Sequence, residues 1–73
     1  MSIIQTGNRT HDATCATAEM VRQVADSQPG ATQASLNANS VTYFRAVIAS
    51  CVTNGLDAGT YREGLHRLTG SYS

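Results

Sequence analysis

The chain has 73 residues, 41% of them hydrophobic, which is enough for one domain whose single core is marginal without a disulfide, a metal or a second subunit. Five arginines, no lysine and five acidic residues leave a net charge of +0, so the chain as a whole lacks the electrostatic footprint that draws a protein to phosphate backbones. No run approaches the roughly 20 apolar residues of a membrane span, and the start has no basic region leading into a long apolar one, so a cytoplasmic location with Cys15 and Cys51 as reduced thiols is expected.

Residues 1–9 hold Gly7 and Asn8 and show no sustained period, which reads as a flexible lead that could dock through Ile3 and Ile4. From Asp12 the pattern changes. Ala13, Ala16, Met20, Val21 and Val24 recur at helical spacing while Glu19, Arg22, Gln23 and Asp26 point elsewhere, so the spacing predicts a helix over 13–27 with the apolar set facing the core. Asp12 or Thr10 is the expected cap, because a side-chain oxygen accepts from the free N–H groups of a first turn. Pro29 and Gly30 break the helix.

Residues 31–39 carry Thr32, Ser35, Asn37 and Asn39, which compete for backbone hydrogen bonds, so they are expected to form a loop holding at most one helical turn. A second helix is predicted over 40–54, capped by Asn39 or Ser40. The run Val41-Thr42-Tyr43-Phe44 has strand propensity, but apolar positions 44, 47, 48, 51 and 52 follow the helical period and do not alternate. Asn54-Gly55 supplies a left-handed stop. A third helix is predicted over 58–69, with Asp57 or a Thr60-to-Glu63 capping box at its start, an Ala58, Tyr61, Leu65, Leu68 stripe, and Gly70 at its end. The expected fold is therefore all-α: a compact three-helix domain over 10–70, four-helix if 31–39 contributes one, with a tail over 71–73.

Two constellations invite chemistry. His11 and Cys15 are four residues apart, and with Cys51 and His66 they contain the donors of a zinc site or the parts of a Cys/His nucleophile. Structural zinc draws on close cysteine pairs and catalysis needs a walled pocket, so no metal, no cofactor and no catalytic residue is expected. The second is the pair of helices flanking Gly55-Leu56-Asp57, a helix-turn-helix-like arrangement whose last helix would expose Arg62, Glu63, His66 and Arg67. Glu63 opposes phosphate and nothing basic flanks the motif, which argues against duplex reading.

The stretch FRAVIASCVTNGLDAGTYREGLHRLTG, from Phe44 to Gly70, resembles a helix-turn-helix-like domain of regulators on proteobacterial mobile elements, in which a small-residue turn precedes a Tyr-Arg-Glu helix. Ala58, Gly59, Tyr61, Arg62, Glu63, Leu65 and Gly70 carry the likeness, while Gly64 stands where an apolar residue is expected. In size and character the chain is similar to the small antiactivators of rhizobial integrative and conjugative elements. That resemblance implies a protein that binds and silences a transcriptional activator.

The expected function is thus regulatory protein binding by occlusion, without enzymatic activity. Tyr43, Arg45, Tyr61, Arg62, His66 and Arg67 are of the aromatic and basic types that interfaces favour, and they are the expected contacts. A minimal helix-turn-helix DNA-binding module and a structural or assembly protein of a phage or mobile element, packing against identical copies, are the alternatives.

Overall fold

A computed structural model describes residues 8–71, as three helices: α1, Arg9–Asp26; α2, Gln33–Thr53; and α3, Gly59–Thr69. The expectations for residues 1–7 and 72–73 lie outside the described part. Helix α1 begins earlier than its apolar period suggests, because Asn8 caps it. The Asn8 backbone is extended and its side-chain oxygen accepts the His11 N–H at 2.9 Å. Arg9 is therefore helical and does not belong to a lead. At the other end the Ser27 hydroxyl donates to the Gln23 carbonyl at 2.7 Å, and Gly30, with φ 78°, turns the chain back.

The loop expected over 31–39 is a correction: most of it is the first part of α2. Thr32 is the cap, its Oγ1 accepting the Ser35 N–H at 3.1 Å while Ser35 Oγ accepts the Thr32 N–H at 2.9 Å. This reciprocal box satisfies two free donors, and the polar residues that would compete inside a helix serve to start it. Gln33 then donates to Asn37 one turn on, at 2.9 Å, so these side chains bond along the helix surface. No separate fourth helix exists among the described residues.

Helix α2 ends as Asn54-Gly55 demands. Gly55 adopts φ 67°, its N–H reaching the Val52 carbonyl at 3.3 Å and the Leu56 N–H reaching the Cys51 carbonyl at 2.8 Å. This is a Schellman turn with an apolar residue following the glycine, and Leu56 folds back against the core. Asp57 Oδ1 accepts the Gly59 N–H at 2.9 Å, and α3 opens at Gly59 with no side-chain cap, so Thr60 lies inside the first turn and its expected box with Glu63 is not the start. Gly70, at φ 75°, closes α3.

Helix α2 packs against both α1 and α3. The core is small-residue chemistry: Cys15, Val47, Cys51 and Ala58 are buried together, with Leu65 sealed at 1% exposure. Gly64 explains how α3 lies so close. A Cβ there would fall 2.7 Å from Phe44 Cζ, so the ring of Phe44 occupies the space a side chain would need. Among the described residues no helix is long and apolar enough to cross a membrane.

Candidate protein-binding surfaces

Helix α1 is amphipathic in the sense opposite to the one its sequence suggests. The face turned to α2 carries His11, Cys15 and Glu19, all buried, whereas Met20, Val21 and Val24 stand 65%, 59% and 58% exposed. The inner positions recur four residues apart and form a polar seam. His11 Nδ1 is 2.8 Å from Ser50 Oγ, its Nε2 is 3.3 Å from Cys15 Sγ, and Asn54 donates to the Ser50 carbonyl at 2.8 Å. Farther along, Glu19 accepts from Arg22 at 2.8 Å, the Arg22 guanidinium lies 4.6 Å from the centroid of Tyr43, and Asn39 donates to Asp26 at 2.9 Å. Buried polar groups are tolerated when partnered, and no buried side-chain nitrogen or oxygen among the described residues lacks a partner. That complete pairing is why this face can be the inner one.

The seam brings together three members of the sequence's first constellation, since Cys51 Sγ also lies 3.9 Å from His11 Nε2. Burial pushes both thiols above their ordinary 9.0, with the neighbouring Cys51 thiol and Asp12 adding to the effect at Cys15, and Asp57 at Cys51. A thiol held neutral is a poor nucleophile and a poor ligand. Among the described residues no cluster of three His, Cys, Asp or Glu side chains could hold a metal ion.

The outward face of α1 borders an open groove of about 780 Å³ between α1 and α2. Thr10, Ala13, Thr17 and Val21 form its α1 wall, and Thr42 and Ala46 its α2 wall. Arg22 and Tyr43, stacked on each other, line it as well, so small side chains and one stacked pair make up the walls.

The six residues expected to make contacts fall into different settings. Tyr43 is half-buried, in edge-to-face contact with Phe44 at 5.5 Å between centroids. Tyr61, also half-buried, packs against the core 6.5 Å from Phe44. Desolvation holds both phenols above their usual range. These aromatics thus help join the helices. Arg45 is exposed on α2, Arg62 and Arg67 are exposed on α3, and His66 is half-buried between them. What sequence reasoning missed is the bare apolar stripe of α1. The signal was there in the series His11, Cys15, Glu19, Arg22 and Asp26, a second stripe of the same helical period.

No protein-family model matches this chain, and no curated protein or solved structure matches it.

Proposed function

We propose that this protein is a small regulatory protein-binding module of the cytoplasm. The observation that supports it is the turned-out stripe of α1: Met20, Val21 and Val24 lie bare beside an apolar groove in a chain with little core to spare. Large apolar side chains gathered on one exposed face mark interaction surfaces. The finer role, sequestering a transcriptional activator by covering its working surface, draws on the resemblance of the segment from Phe44 to Gly70. The exposed guanidinium groups of Arg62 and Arg67 on α3 suit an acidic patch on such a partner.

Two site-specific photo-cross-linking probes, at Val21 and at Arg67, test this in living cells. Protein adducts at both positions are expected, the Arg67 adduct containing the activator. Reversing Arg62 and Arg67 together to Glu should weaken that complex while far-ultraviolet circular dichroism is unchanged. If the reversed protein keeps every protein partner but loses a salt-sensitive complex with duplex DNA, the chain is a DNA-binding module and the regulatory reading fails.

A further inference from the structure

We infer that the outer face of α1 is the interface of a symmetric homodimer, in which two copies cross their α1 helices antiparallel about Thr17, each lying along the other's α1/α2 groove. The inference rests on the reading of that face as a protein-docking surface and names its occupant as a second copy of this chain.

The first argument is shape. The outward stripe is tapered: Thr10, Ala13 and Thr17 in its N-terminal half are small or short, and Met20, Val21 and Val24 in its C-terminal half are large and exposed. An antiparallel pairing about Thr17 sets Val24 against Thr10 and Val21 against Ala13, twice by symmetry. Large side chains then fill the space left by small ones, as facing layers of a packed core require. A parallel pairing would set large against large and leave a gap at the other end. A face complementary to its own reversed copy is the defining property of a two-fold interface.

The second argument is charge. Thr10, Ala13, Thr17, Met20, Val21 and Val24 carry no ionisable group, and the charged side chain on the groove wall between them, Arg22, is already paired with Glu19 at 2.8 Å, so no unpaired charge would be buried along the crossing. At its N-terminal edge Arg9 is exposed and borders the groove. Antiparallel pairing brings Arg9 alongside the last turn of the copy's α1, which holds Asp26 and no basic residue of its own. A cation there meets the negative end of a helix. The pairing also leaves α3 of each copy outside the interface, so the dimer presents Arg62 and Arg67 twice.

Sedimentation equilibrium of the full chain over a wide concentration range is the test, joined to the Val21 probe. A species of two chains is expected, and Val21→Asp with Val24→Asp should raise the dissociation constant roughly 100-fold without loss of helicity, as removal of central apolar contacts does. Mild oxidation of Thr17→Cys should join two chains, whereas Thr60→Cys on α3 should not. The buried Cys15 and Cys51 do not compete. A monomer at every concentration, a dimer indifferent to the double Asp variant, or equal cross-linking at positions 17 and 60 overturns the proposal. In the monomer case, an adduct of the Val21 probe with a different protein would leave the docking reading standing, and no adduct at all would remove both.

Discussion

Replacing Gly64 with Ala sets two effects of known sign against each other. Alanine in a helix interior is favoured over glycine by about 1 kcal/mol through propensity alone. The added Cβ, however, would meet Phe44 Cζ at 2.7 Å and Cε1 at 2.9 Å. Carbon atoms rest at about 3.5–4.0 Å, so the ring must retreat by roughly 1 Å. Its retreat is limited, because Tyr43 and Tyr61 both stand against it. Overpacking of this kind costs about 1–3 kcal/mol, so the net change should be a destabilisation of about 1 kcal/mol. For a domain of this size that lowers the melting temperature by roughly 4–8 °C. The decisive measurement is a double-mutant cycle by urea denaturation at one fixed protein concentration. In a Phe44→Ala background the clash is gone, and Gly64→Ala should become stabilising by roughly 0.5–1 kcal/mol. If the substitution has the same sign in both backgrounds, Phe44 does not fill the space above Gly64 and the account of α2–α3 packing is wrong.

Thr32→Ala should cost about 1 kcal/mol and expose the Ser35 amide to hydrogen exchange, because its bond to Thr32 Oγ1 vanishes while the residue-32 N–H keeps its bond to Ser35 Oγ; amides farther along α2 should keep their protection. Stability should also fall in alkali. Burial raises Cys15, Cys51, Tyr43 and Tyr61 above their unfolded values, so the unfolded chain loses its protons first. The stabilisation is therefore complete below about pH 9 and is lost as the pH rises through the raised native values. Denaturant midpoints measured from neutral pH upward should decline from that point, and Cys15→Ala with Cys51→Ala should flatten the first part of the decline.

The helices themselves were legible because their punctuation is local. Gly30, Gly55 and Gly70 each adopt the positive φ that a turn or stop at those positions requires. What was not legible depended on partners distant in sequence. Asn8 makes a better start than Asp12 because its amide also reaches Asn54 at the C-cap of α2, at 3.3 Å. Thr32 and Ser35 act as a box, although singly each reads as a helix breaker. The orientation of α1 was hidden most deeply. Periodicity reports that a helix has two faces, and apolar content then nominates the inner one. Here Ser50 and Asn39 on α2 and Asn54 at its C-cap answer the polar side of α1, and they lie more than ten residues beyond the end of α1. Residue type marked Tyr43 and Tyr61 as interface aromatics; that both also pack against Phe44 depends on how α3 sits on α2, which residue type does not report.

The inversion of α1 bears on both stability and assembly. A polar seam between α1 and α2 adds less to stability than an apolar one of the same size, since each bond formed there replaces a bond to water. It does fix register, because His11 finds Ser50 and Asp26 finds Asn39 in one alignment only. The apolar area on the far side of α1 is then idle in a single chain and useful once covered. Covering it with a second copy ties folding to association, so that stability increases with protein concentration as for any state that binds and an unfolded one that does not. A short chain built largely from Ala, Ser, Thr and small apolar residues would gain in this way the core volume that its own three helices do not enclose.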